Sequence, residues 1–363
     1  MTIWIGAPSA EASRLPAVIA SVSADVPISA GDGWLVWSVP VEGGWGLDAY
    51  HDGAITALPV ASRPQPFDAN VGTNAQQVPV VAFSRCTKTP QMENIGSGVT
   101  GGSMLVPRTG AGCRLRVLDL MSDRENSPPI PHPAGASDTT PSMWHGNVAF
   151  ARMTSGHGAI SHVMFWSPRH PDTLRVLAHG QIPPRCARKK RCGGSLVYGE
   201  VQALDLDAHV VAFTWAIDGA GVLGHGGWEA RVDDLSNARG GLADSGFVSE
   251  ACISGGIELE RLEAPVAVGD GMLVSELIRS GCYRTFASRL YDYRAGGARP
   301  SSGALPDMTL GLAKDGDALY ALAAPAPESQ TDPGCSPSAP CTLEQIAKPV
   351  LTPTRFRPQP PLV

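Results

Sequence analysis

Six times along this chain a turn rich in Gly and Asp, or an eroded version of it, leads into a short apolar run. Self-similarity of this kind constrains a fold more than any single motif does. The first copy opens with Gly31-Asp32-Gly33 and continues Trp34-Leu35-Val36-Trp37. A second strand over Leu47-Asp48-Ala49-Tyr50, a turn at Asp52-Gly53 and a last strand from Ile55 to Val60 complete the unit. The apolar triplet returns as Val81-Ala82-Phe83, Val148-Ala149-Phe150 and Val211-Ala212-Phe213. The opening spelling returns as Gly269-Asp270-Gly271-Met272-Leu273-Val274 and Gly316-Asp317-Ala318-Leu319-Tyr320. Partner strands follow over Leu115 to Leu120, His162 to Trp166, Ala230 to Leu235, Leu290 to Tyr293 and Thr342 to Ile346.

Successive triplets lie roughly 45 to 67 residues apart, the span of a four-stranded blade with variable loops. A blade is apolar on both faces and stable only between neighbours, so its central strand reads as a continuous apolar run. The chain is therefore read as all-β, a six-bladed β-propeller of four-stranded antiparallel blades. A β-sandwich also gives short runs between turn signals, but it would not repeat one turn and one triplet six times. Helix periodicity is absent, and the 41 Gly and 32 Pro interrupt nearly every window. The torus is expected over 28–358, after a leader or loosely packed segment at 1–27 and before a tail at 359–363.

The net charge of −6, with no basic face, argues against nucleic acid as a partner. The densest basic run comprises Arg185, Arg188, Lys189, Lys190 and Arg191. It reads as a solvated loop or, more sharply, as a contact patch for an acidic partner. The eight cysteines pair as neighbours: Cys86 with Cys113, Cys186 with Cys192, Cys252 with Cys282, Cys335 with Cys341. Eight cysteines allow 105 connectivities, so this pairing is a hypothesis; zinc ligation and free thiols are the alternatives. No Cys-x-x-Cys knuckle occurs. Disulfides favour an oxidising, extracytoplasmic compartment. The first residues lack the positive and unbroken apolar regions of an export signal, and no stretch has the length of a membrane span.

Long connections fall at 87–112, 180–195, 241–261 and 324–339. Propellers carry recognition on such loops and in the central funnel. Gly96-Ser97-Gly98-Val99-Thr100-Gly101 matches a dinucleotide fingerprint but has no following helix to hold a pyrophosphate, so it is read as a loop. His145, His157 and His162 match no strong metal template, and Asp315-Gly316-Asp317 reads as a turn rather than a calcium loop. No Gly-x-Ser-x-Gly elbow is present. No catalytic residue, metal or cofactor is assigned.

Openings such as Ser29-Ala30-Gly31-Asp32-Gly33, the run Val148-Ala149-Phe150-Ala151-Arg152 and the ending Leu118-Asp119-Leu120 resemble the TolB-like, WD-like β-propellers of bacterial envelopes. The Ser-Pro-Asp-Gly spelling of that family is eroded here, and the helical domain ahead of its periplasmic members is missing from the sequence. The resemblance implies a six-bladed, non-catalytic, extracytoplasmic scaffold for a protein or peptide, and the chain is expected to be a monomer. The alternative is a carbohydrate-active enzyme, hydrolase or lyase, which would need carboxylates, or His, Tyr and Arg, converging in the funnel. A structural module of a larger envelope assembly is a third reading.

Overall fold

The Asp-Gly turns adopt the geometry their spelling requires. Asp32 and Gly33 have φ of 53° and 82°, and Asp52 and Gly53 have 49° and 80°. Two successive positive φ values make the hairpin turn whose twist matches that of its strands. A computed structural model describes residues 17–88, 91–96, 103–108, 112–153, 161–180, 196–219, 226–236, 257–262, 266–268, 271–280, 285–294, 301–305, 308–325, 334–347, 349 and 351–353. No helix occurs among them.

Strand β1 (Ala17–Val22) comes first and is returned to below. Blade one is β2 (Ile28–Gly31), β3 (Trp34–Val41), β4 (Gly44–His51) and β5 (Ala54–Ala57), in that order outward. Blade two runs β6 (Asn70–Thr73), β7 (Pro79–Arg85), β10 (Arg114–Asp119) and β11 (Arg124–Asn126), with a separate hairpin of β8 (Gln91–Gly96) and β9 (Ser103–Arg108) between its middle strands. Blade three is β12 (Ser137–Trp144), β13 (Asn147–Met153), β14 (Ser161–Trp166) and β15 (Leu174–Ala178). Blade four shows three strands among the described residues, β16 (Leu196–Asp207), β17 (Val210–Gly219) and β18 (Gly226–Asp234).

Blade five is the most elaborate. There β19 (Ile257–Leu262) and β20 (Val266–Val268) both pair with β21 (Gly271–Ser280), followed by β22 (Thr285–Arg294), β23 (Ser301–Ala304) and the short β27 (Thr352–Pro353). Blade six is β24 (Met308–Asp315), β25 (Ala318–Ala324) and β26 (Cys341–Ile346), and its outer strand is β1. Val22 of β1 pairs with Cys341, and Ala17 pairs with Gln345. Residues 17–22, set within the expected leader, therefore share a sheet with the far end of the chain, and ring closure joins the two.

Packing between blades explains the triplets. In blade two, Val81 and Phe83 belong to the core shared with blade one, whereas Val80 and Ala82 belong to the core shared with blade three. In blade three, Val148 and Phe150 face back to blade two while Ala149 and Ala151 face blade four, where Val211 and Phe213 meet them. Each strand alternates as any strand must, but both faces are covered, so the triplet itself is apolar throughout. The large ring faces the preceding blade and the alanine the following one. Close approach has a limit: a Cβ on Gly72 would lie 1.7 Å from the Met143 carbonyl oxygen of the next blade.

Candidate functional site: the mouth of the central channel

Antiparallel alternation sends every connection from second to third strand, and from fourth strand to the next blade, to one rim. The strand ends that bound 87–112, 181–195 and 325–340 all lie there, whereas β18 of blade four ends at the opposite rim, with Asp234 paired to Val210. The innermost strands of all six blades line a central cavity of about 260 Å³. A second chamber of about 350 Å³ opens toward the elaborated rim. The two meet at Asp68, Thr140 and Gln202, which line both.

Two of these residues are placed by irregular strands. The register of β12 shifts between Thr139 and Ser142, and that of β16 shifts on both sides of Val201. Bulges redirect side chains and are common beside functional sites. Thr140 has φ of 50°, although it is β-branched and precedes Pro141, where an extended backbone is expected. Such a conformation holds about 1–3 kcal/mol and persists only where the surroundings impose it. Here the Thr140 N–H donates to Asp68 Oδ2 at 2.8 Å. Gln202 is half-buried, and its Nε2 is shielded from solvent without a hydrogen-bond partner among the described residues.

Asp68 and Arg63 form a closed electrostatic unit. Arg63 donates to the carbonyls of Gln65 at 3.1 Å and Ser84 at 2.6 Å, to that of Pro66, and to Asp68 Oδ1 at 3.3 Å. Asp68 Oδ1 also accepts the Ser84 N–H at 3.0 Å. Burial pushes the Asp68 carboxyl up, but the Arg63 guanidinium and the Ser84 and Thr140 N–H groups outweigh it and leave it below the usual carboxylate range. The carboxylate is thus ionised and fully engaged.

Deeper in the channel, Asp205 ties four blades together. Its Oδ2 accepts the Ala267 N–H of blade five at 2.8 Å, and Asn70 of blade two donates to its Oδ1 at 3.0 Å. Ser142 of blade three accepts the Leu206 N–H at 2.9 Å and lies 2.8 Å from Asn70 Oδ1 and 3.1 Å from Asp205 Oδ1. One hydroxyl proton cannot serve both oxygens. A protonated Asp205 resolves the conflict by donating to Ser142, which then donates to Asn70. In keeping with this, burial raises the Asp205 carboxyl above its ordinary value, against the hydrogen bonds that lower it.

The folded protein therefore holds this proton more tightly than the unfolded chain does. The group's contribution is complete below the unfolded value of 3.8 and is lost as pH rises through the folded value. Asp205→Asn, neutral at every pH, is expected to remove that fall. Asp205→Ala leaves the Ala267 N–H and the Asn70 amide unmet and should lower stability by about 2–3 kcal/mol. Urea unfolding of the three proteins from pH 4 to pH 8 measures both effects.

Of the residues singled out by sequence, Cys86 lines the outer chamber. Arg185, Arg188, Lys189, Lys190 and Arg191 lie outside the described residues, as do Cys186, Cys192, Cys252, Cys282 and His157. Cys86–Cys113 and Cys335–Cys341 are disulfides as paired, the first at the base of the β8–β9 hairpin. His145 stacks on Trp144 at 3.8 Å, and His162 meets His179 edge to face at 5.3 Å. No group of three or more metal-binding side chains occurs among the described residues. The Asp315-Gly316-Asp317 segment is a turn, and Asp315 accepts the Gly33 N–H at 2.6 Å, linking blade six to blade one.

No protein-family model matches the chain, and no curated protein matches its sequence. Solved structures similar to it include the tricorn protease, with TM-score 0.38 and 9% identity over 90% of this chain and 31% of that one. Trypanosoma rangeli sialidase in complex with 2,3-difluorosialic acid gives 0.42 and 11% over 91% of this chain and 54% of that one. The polysaccharide lyase Uly1 gives 0.40 and 9%, over 88% and 89%. The chain thus spans about a third of the protease and half of the sialidase. The six-bladed fold implied by the TolB-like spelling is the fold found, whereas no family model supports the finer assignment and these three structures carry other names. Likeness this distant fixes neither ligand nor activity, because a propeller hosts many unrelated functions.

Proposed function

We propose that this protein is an extracytoplasmic binding propeller that takes its ligand at the channel mouth and releases it unchanged. The observation that carries this reading is the state of the channel carboxylates. Asp68 and Asp205 have both oxygens committed to links between strands and blades, so neither is at liberty to attack a substrate or shuttle a proton. What the mouth offers instead is a rigid set of neutral polar groups behind a rim with a crosslinked hairpin. Rigidity limits the entropy lost on binding. A protein or peptide partner would reach the mouth over that rim, with the basic run 185–191 as an additional contact. Two disulfides accord with an oxidising compartment, and among the described residues no helix is long and apolar enough to cross a membrane.

The second reading is a carbohydrate-active enzyme, and one feature favours it: Asp25, Asp68 and Asp205 all line the same channel. Glycoside hydrolysis requires two carboxylates facing one bond. The discriminating experiment incubates the oxidised protein with neutral and acidic polysaccharides and with a peptide library, and follows both retention and product release. Retention without product is the expected result. Release of new reducing ends, abolished in Asp25→Asn, would instead establish the enzyme.

A further inference from the structure

We infer that the channel mouth is built to hold one neutral, polyhydroxylated ring, a single sugar unit, with the Gln202 amide as its principal donor. This rests on the mouth being the binding site and names the chemistry it selects. The first observation is the unpartnered nitrogen. A buried amide N–H without an acceptor is costly, and native structures rarely retain one unless a ligand or ordered water completes it. Gln202 Nε2 is such a group, and it stands where the two chambers join.

The second observation is charge. Arg63 and Asp68 neutralise each other, and the donors of Arg63 are spent on the carbonyls of Gln65, Pro66 and Ser84. Among the described residues an anionic ligand would find no free cation at the junction, where the Arg63 charge is already met by Asp68. Lys88 lines the outer chamber as an exposed residue, too wet to hold an anion firmly. The neutral polar side chains around the junction include Thr139, Thr140 and Gln202. These groups both donate and accept without charge, as the hydroxyls of a sugar do.

The third observation is size and rigidity. The outer chamber of about 350 Å³ lies at the lower end of the roughly 300–1,000 Å³ range of small-molecule sites, which suits one ring rather than a chain. The left-handed Thr140 and the bulge at Val201 fix the two walls in place before any ligand arrives. A free saccharide and a glycan carried on a protein present the same ring to the mouth.

The test titrates the oxidised full chain with methyl glycosides of glucose, galactose, mannose and N-acetylglucosamine, read by saturation-transfer NMR and calorimetry. At least one should bind, and methyl glucuronide should bind more weakly than the glucoside. Gln202→Ala should raise the dissociation constant about tenfold, with the unfolding midpoint unchanged because that side-chain nitrogen bonds nothing among the described residues. Thr139→Val, which keeps shape and removes the hydroxyl, should weaken the same glycoside. Failure of every glycoside to bind, or binding that Gln202→Ala leaves intact, overturns the inference. If peptides from the library then bind and lose affinity in Gln202→Ala, the sugar inference falls and the mouth stands as the binding site. If nothing bound depends on Gln202, both fall.

Discussion

Arg152→Met should lower the unfolding free energy by about 3–5 kcal/mol, the largest effect expected of any single substitution here. Arg152 and Asp138 have side chains only 5% and 3% exposed, joined by two hydrogen bonds of 2.6 and 2.7 Å. Arg152 also donates to the Pro131 carbonyl at 2.8 Å, and His132 lies 2.9 Å from the same carboxylate. The guanidinium sits 5.1 Å from the centre of the Phe150 ring, two residues back on the same strand face. Methionine keeps most of the stem but leaves the buried carboxylate with His132 alone in place of the guanidinium. The penalty arises from that buried charge rather than from the worth of the pair, so Asp138→Asn combined with Arg152→Met should recover a good part of the loss. Equilibrium denaturation of the wild type, both single variants and the double variant measures this directly.

Removing the Cys86–Cys113 crosslink comes next. The bond closes a span of 27 residues, and the chain-entropy account assigns a loop of that length about 3–4 kcal/mol. The Cys335–Cys341 bond closes only 6 residues, for which the same relation gives about 2 kcal/mol. The double variant Cys86→Ser, Cys113→Ser should therefore be the less stable of the two corresponding pairs. Its effect should also be local at first. Cys113 is buried, its N–H donates to Ser137 Oγ at 3.0 Å, and its carbonyl accepts the Asp138 N–H at 3.0 Å. These bonds tie the third strand of blade two to the first of blade three and do not need the sulfur. The β8–β9 hairpin, attached to no other sheet among the described residues, should accordingly lose hydrogen-exchange protection before either blade does.

The architecture was legible because the residues that build it are numerous and repeated. Val81-Ala82-Phe83 and Val148-Ala149-Phe150 each announce a strand with both faces covered, and Asp32-Gly33 announces its turn. The mouth was not legible, for physical reasons. Asp68, Thr140, Gln202 and Asp205 sit singly in different blades, and only ring closure brings them together. Asp68 falls just ahead of the four-residue β6, and the strands that carry the other three, β12 and β16, have their alternation interrupted by register shifts beside Thr140 and Val201. Thr140 lines the cavity at a register shift and with positive φ, whereas its β-branched side chain and the following Pro141 argue for ordinary extended chain. The repeat of Asp205-Leu206-Asp207 on the strand entering a turn was a signal available in sequence, yet it reads equally as solvated polarity. The strand over 17–22 was hidden in the same way, since an outer strand with residues such as Val18 largely exposed carries no amphipathic stripe.

The central claim is that the channel mouth binds and does not transform. Hydrogen–deuterium exchange of the intact oxidised protein, with and without the tightest-binding glycoside or peptide and with the ligand recovered afterwards, tests it most directly. The account predicts added protection in the peptides containing Thr139–Thr140 and Val201–Gln202, and a ligand recovered chemically unchanged. Protection confined to other blades, or a ligand recovered as cleaved or eliminated product, would contradict it.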